Sequence, residues 1–358
     1  MTRTLDAALP TTGIGSLPLT DAEEAASFVL EADLTIPFWP QLPNRYFLEQ
    51  MIPQYSGGMP CVLPVPSDGK VVLEPAAQYR ELEKFYEKYL SEEPGAFAVA
   101  QEAAAGLYAF ERSAAGRTWP VVKGQVTGPV TFCTGISGPD KKPLYADEEL
   151  RDAAAKLLCR KAQWQVDRLG SLASKAVMIF VDEPVLAAYG SSAYLGISAG
   201  DVHELVGEVL EGIHSAGGIT GIHVCGNSDW GMVLRTGVQV LNFDAYQFGT
   251  RLALYPEAVQ ALLQRGGYVA WGIVPTTPAV EKETPDSLAR RFDGCIDALA
   301  DKGLSRELLL DHSMITPSCG AGSLSPKAAG RVFELLGQLR ERLLGAASSQ
   351  AQSRQRRR

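Results

Sequence analysis

Positive charge is in short supply in this chain: 33 Lys and Arg stand against 41 Asp and Glu, leaving a formal net charge of -8 over 358 residues. A surface that holds nucleic acid must neutralise phosphates with an excess of Lys and Arg, so no nucleic-acid partner is expected. Long apolar runs are also missing. None approaches the roughly 20 residues of a membrane span, and the N-terminus lacks the basic-then-apolar layout of a signal peptide, so the expectation is a cytoplasmic protein with no membrane partner. The 6 cysteines lie scattered at 61, 133, 159, 225, 295 and 319, too far apart for the disulfide framework of a small secreted domain. Their thiols are therefore available as metal ligands. The sequence also has no full glycine-rich phosphate turn. GIGSLP at 13–18 is too short a match to G-x-G-x-x-G to mark a dinucleotide-binding, doubly wound sheet.

What is present is the composition of an ordinary globular protein, 46% hydrophobic and 21% charged, with enough length for a large core. Eight short β-branched or apolar runs end in Gly, Pro or polar clusters: 11–18, 34–43, a run from 120, 176–186, 218–227, 239–246, 267–275 and 307–320. Helical periodicity follows them, at 75–115, 145–172, 200–216, 229–236, 255–265, 284–302 and 326–345. Alternation of this kind implies right-handed parallel βαβ units, and eight units that close on themselves form a (β/α)₈ TIM barrel. The expected organisation is one barrel domain over 1–345. The polar stretch 346–358, with four arginines in its last five residues, is expected to be a disordered basic tail.

Reactive groups of a parallel barrel gather where strands end and loops begin, however far apart they are in sequence. His223 and Cys225 fall at the end of the fifth run, and their i, i+2 spacing puts both side chains on one face of an extended chain. Cys319 follows the eighth run between Pro317 and Gly320, and Asp244 near the end of the sixth offers a carboxylate. One imidazole and two thiolates form a soft set suited to Zn2+, with a fourth, exchangeable position marking a catalytic site. Buried packing of a His and a Cys in an apolar strand is the competing reading. A zinc held this way has two chemical uses: activating water, which needs a general base, or holding a substrate thiol as thiolate near neutral pH. Two thiolate ligands make the metal a poorer acid toward water and favour sulfur alkylation.

Six segments in order, GIGSLP, KGQVTGPVT, VDEP, GIHVCGN, LNFDAY and TPSCG, resemble the C-terminal catalytic domain of cobalamin-independent methionine synthase and its zinc-dependent relatives that move methyl groups from corrinoid proteins to thiols. The resemblance runs from about 11 to 340. It implies a uroporphyrinogen decarboxylase/methionine synthase-like barrel that methylates a thiol, most naturally homocysteine to give methionine. Carried over position by position, it makes His223, Cys225 and Cys319 zinc ligands and puts Asp244 where the family has a displaceable Glu. Asp182 falls on the acid that meets the substrate ammonium, and Ile14, Gly15 and Ser16 fall on the stretch that holds its carboxylate; Glu183 is expected to be structural. A second family Glu that grips the amine is replaced in MIPQYSGG by Gly57 and Gly58, and Glu49 is the candidate to stand in for it. Full-length relatives carry a further N-terminal barrel for their folate donor. With no room for one here, the expected methyl donor is methylcobalamin on a partner corrinoid protein, or methyl-folate. Phe38 and Trp39 offer an apolar face for such a ring, or else pack in the core.

Three alternatives stay open at this stage. One is methyl transfer from a corrinoid protein to another thiol, of the coenzyme M type, without an amino group. Another is a metal-free porphyrinogen decarboxylase, disfavoured because no Arg lies near GIGSLP. The third is a zinc-binding module without catalysis.

Overall fold

The computed structural model describes residues 5–355 apart from 6, 75–77, 92–94 and 195. An antiparallel hairpin, β1 (Val62–Val65) and β2 (Lys70–Leu73), precedes the main sheet and has no counterpart in the sequence reading. The main sheet is parallel and six-stranded, in the order β3 (Trp119–Thr127), β4 (Ala173–Asp182), β5 (Ile219–Val224), β6 (Val240–Phe243), β7 (Tyr268–Val274) and β8 (Ser313–Pro317). Helices Glu148–Leu169, Ala199–Ser215, Trp230–Arg235, Pro256–Gln264 and Pro285–Ala300 fall between successive strands, as parallel connections require.

The gap between β8 and β3 is spanned by the first two expected strands, which lie extended and touch their neighbours at isolated bridges. Ile315 N–H donates to the carbonyl of Pro10, and Ile36 N–H to that of Thr11; Gln41 and Gly15 pair, and Lys123 N–H donates to Pro37. Continuous ladders fail here for a covalent reason. Pro37 and Pro40, inside the second segment, have no N–H to contribute and interrupt it, while Pro10, Pro18 and Pro43 bound the two segments and keep them short. The fold is thus an α/β barrel whose sheet curls round but is not sealed by uninterrupted strand pairing.

Strand parity sorts the core into two layers. Ala176, Met178 and Phe180 of β4 join Val121, Ile219, Val240, Ala270 and Met314 in an inner cluster. The alternate residues Val177, Ile179 and Val181 pack outward in the helix-facing cluster. Continued to the C-terminal ends of the strands, the inner parity delivers Lys123 and Gln125 from β3, Asp182 from β4, His223 from β5, Asn242 from β6 and Thr316 from β8, all buried.

Three boundaries differ from the sequence reading. The region 75–115 holds two helices, Gln78–Leu90 and Ala105–Ser113, with a short helical turn Gln101–Ala103 before the second. The run ELLLD before β8 is a helix, Arg306–Asp311, capped by Ser305. The last helix spans Pro326–Gln355, so backbone expected to be disordered is helical through 355; its Ala, Gln and Arg content favours helix. Among the described residues no helix is long and apolar enough to cross a membrane.

Candidate metal and substrate cleft

A cavity of about 390 Å³ opens at the C-terminal ends of the strands, lined by Ile14, Ser16, Gln41, Asn44, Glu49, Met51, Asp182, His223, Cys225 and Cys319 among others. That size suits a ligand no larger than an amino acid with a short side chain or part of a larger one. On one wall, a ring nitrogen of His223 and the sulfurs of Cys225 and Cys319 lie within 4.8 Å of one another. Cys225 is exposed and Cys319 half-buried, so both sulfurs are reachable from solvent, while the His223 ring is buried.

These residues fit a zinc ion on chemical grounds. His223 Nε2 is a buried nitrogen with no hydrogen-bond partner, a costly state that a metal bond would relieve. His223 Nδ1 lies 2.5 Å from Asn242 Oδ1. The thiol of Cys319 beside Cys225 pulls the Cys225 thiol down to about 4, with His223 adding to the effect, and the same pairing pushes Cys319 up. A site that already favours one thiolate is suited to a ligand that must be deprotonated to bind metal. Burial alone would lower the His223 ring, but Cys225 and Asp182 outweigh it and raise it.

The same cavity is lined by carboxylates, Asp182 standing in register with His223 on the neighbouring strand. Asp182 is buried, its Oδ1 has no hydrogen-bond partner, and burial pushes its carboxyl up to about 6 against the pull of His223 and Lys123. Glu49 is not an exposed helix carboxylate: it is 1% exposed and lines the same cavity. Arg45 Nη1 donates to its Oε1 at 2.6 Å, leaving Oε2 without a hydrogen-bond partner, and burial raises it. Glu183 points the other way from Asp182, as strand alternation demands. Its oxygens accept from Val130 N–H, Thr131 N–H and Thr131 Oγ1 at 2.6 to 2.8 Å, fixing the start of helix Pro129–Gly135.

Ile14 and Ser16 line the same cavity. The Ile14 carbonyl accepts from Lys123 Nζ at 2.5 Å, and Ser16 Oγ accepts from Gly322 N–H at 3.2 Å. A Cβ on Gly320 would sit 2.1 Å from Ser16 Oγ, so the Cys319 loop can lie against Ser16 only because residue 320 has no side chain. Lys123 also donates to Gln125 Oε1 at 3.1 Å and is held at about 7 by burial, with Asp182 opposing the shift.

Asp244 does not join the three ligand atoms. It caps the short helix Ala245–Phe248, its Oδ1 accepting from Gln247 N–H and its Oδ2 from Gln247 Nε2 at 2.6 Å. Phe38 and Trp39 form no face for a ring. Both are fully buried, Trp39 Nε1 donating to Gln165 Oε1 at 2.8 Å and Phe38 stacking on Phe333. Sequence reasoning assigned no role to Lys123, Asn242 or Gln41. The only signal for Lys123 was a charged residue at an inward position of an apolar run.

No known protein family matches the chain, and no curated protein matches it. Solved structures do. A B12-independent methionine synthase from Shewanella sp. W3-18-1, solved with selenomethionine, aligns over 96% of this chain and 100% of its own at a TM-score of 0.58 and 14% identity. A methyltransferase from Methanosarcina mazei aligns over 94% of both chains at 0.54 and 13% identity. A candidate vitamin-B12-independent methionine synthase from Listeria monocytogenes covers 90% of this chain and 86% of its own at 0.54 and 11% identity. At these identities the likeness establishes the barrel fold.

Proposed function

We propose that this chain is a zinc-dependent methyltransferase that methylates a thiol, with homocysteine as acceptor and methionine as product. The observation that carries the reading is one small cleft lined both by His223, Cys225 and Cys319 and by the carboxylates of Asp182 and Glu49. A thiol and an ammonium group on the same molecule match those two sets of groups. His223 Nε2 and the two sulfurs would hold the metal, which supplies Lewis acidity that keeps an incoming thiol deprotonated near neutral pH.

The rest falls to the protein's own groups. Asp182 Oδ1 and Glu49 Oε2, both without protein hydrogen-bond partners, accept from the acceptor's ammonium. The Ser16 hydroxyl and the Ile14–Ser16 backbone face its carboxylate, in a loop pinned by Lys123 from below and Gly322 from the side. Holding both charged groups on the α-carbon orients the side chain and brings its sulfur to the metal ligands, so that sulfur and methyl meet in a fixed line. Asp244, with both oxygens engaged by Gln247, would have to leave that cap to serve as the exchangeable fourth ligand. The methyl donor is a corrinoid protein or methyl-folate approaching the cavity mouth.

The test is direct. Zinc-loaded protein is incubated with homocysteine and, separately, methylcobalamin or methyl-folate, and methionine is measured. Product from either donor, lost in His223→Ala, is expected. No product from either, or full activity in His223→Ala, overturns the reading.

A further inference from the structure

Asn242 has no solvent exposure and lies in register with His223 on one side and Ala270 on the other. Its amide is hydrogen-bonded at both ends. Nδ2 lies 2.8 Å from the Ala270 carbonyl and 2.7 Å from Thr316 Oγ1, and Oδ1 faces His223 Nδ1. An amide can in general be turned over without changing its shape. Here it cannot: the Ala270 carbonyl only accepts, so the atom beside it must be the NH₂ group. The oxygen is therefore the atom that meets the imidazole, and Nδ1 must carry the hydrogen.

We infer that Asn242 is a positioning residue that locks His223 in its Nδ1–H form, so that Nε2 presents a lone pair to the cleft and becomes the metal-binding nitrogen. The inference rests on the metal reading above and deepens it. The opposite tautomer would place a proton where the ion binds. Asn242 thereby ties the ligand on β5 to β7 and, through Thr316, to β8 three residues before Cys319, so both ends of the ligand set share one buried amide. Outer partners of this kind set the orientation and basicity of a ligand imidazole.

Two measurements test it, the first needing no metal. In metal-free protein with ¹⁵N-labelled histidine, at a pH high enough for the raised His223 ring to be neutral, its ring signals, identified by their loss in His223→Gln, are expected to show a protonated Nδ1 and a bare Nε2. Zinc affinity is then measured by competition with a chromophoric chelator. Asn242→Leu keeps the branched shape but removes the acceptor, and its affinity is expected to fall about 10–100-fold. Asn242→Asp still accepts from Nδ1–H but sets its second oxygen against the Ala270 carbonyl, so it is expected to recover only part of that loss. Thr316→Val leaves the Ala270 contact in place and is expected to cost no more than about 3-fold. A protonated Nε2 in the wild type, or Asn242→Leu binding zinc within about 2-fold of wild type, overturns the inference. Should Asn242→Leu not fold, the wild-type ring signals and Asn242→Asp still decide it. A wild type that binds no zinc would instead overturn the metal reading, while its ring signals still settle the tautomer.

Discussion

Residues in the cleft divide by what they can leave unpaired. Asp182 Oδ1, Glu49 Oε2 and His223 Nε2 are buried polar atoms without hydrogen-bond partners, a state that normally costs stability and persists where a ligand completes it. Asp182→Asn is therefore expected to raise KM for homocysteine about 10–100-fold, the value of one charged hydrogen bond. Bound zinc, and the KM for a thiol lacking an amino group, should stay unchanged; steady-state kinetics with the two acceptors checks this. Equal losses with both would assign Asp182 to the metal side instead. That His223, Cys225 and Cys319 come together was legible in sequence because strand alternation and strand ends fix where they point. Asn242 was not, since its role depends on which residues of β5, β7 and β8 lie beside it, and sequence carries no register across strands. Asp244 shows a local signal overlooked: Asp followed three residues later by Gln247 has the spacing of a helix cap, and capping takes both its oxygens.

Among the elements, the sheet from β3 to β8 was readable because its strands are short apolar runs buried on both faces. The first two barrel segments were found, but their proline content reduces them to single bridges. The stretch ELLLD reads as strand by apolarity alone, yet Ser305 caps it into a helix. Contact between the Cys319 loop and Ser16 gives one prediction. Gly320→Ala must displace a side chain 2.1 Å away, so it is expected to raise KM for the acceptor and weaken zinc together, measurable by kinetics and chelator competition. Helix Glu148–Leu169 gives another. Lys161 is 2% exposed, and burial, helped by Lys88, lowers it to about 8. Below that pH both folded and unfolded states hold the proton and the folded state bears the full cost of a buried charge. Between about 8 and the unfolded value near 10.4 the unfolded state binds more protons, so unfolding free energy rises with pH. Lys161→Met is expected to flatten that rise and to stabilise the protein at pH 7 by on the order of 1–3 kcal/mol, read from denaturant titrations across this range. An unchanged slope would show that the lysine reaches solvent.

Across the whole molecule, a zinc held as proposed by residues from two distant strands would couple metal binding to the integrity of the barrel. Zinc at about 1,000 times its Kd adds about 4 kcal/mol to the folded state, so the thermal midpoint is expected to rise on the order of 5–10 °C. The rise should vanish in a Cys225→Ser, Cys319→Ser double variant, as calorimetry would show. The single bridges that join the first two segments to the sheet bear on the order in which the molecule comes apart. Amides there lack the mutual support of a ladder, so native-state hydrogen exchange should release residues 11–17 and 36–41 ahead of those in β4 to β7. Breathing of that side would loosen the grip proposed for the Ile14–Ser16 loop on the substrate carboxylate while His223 and Cys225 stay anchored. A finished methionine would then leave through a seam that opens without unseating the ion, and the same seam would set the pace of turnover.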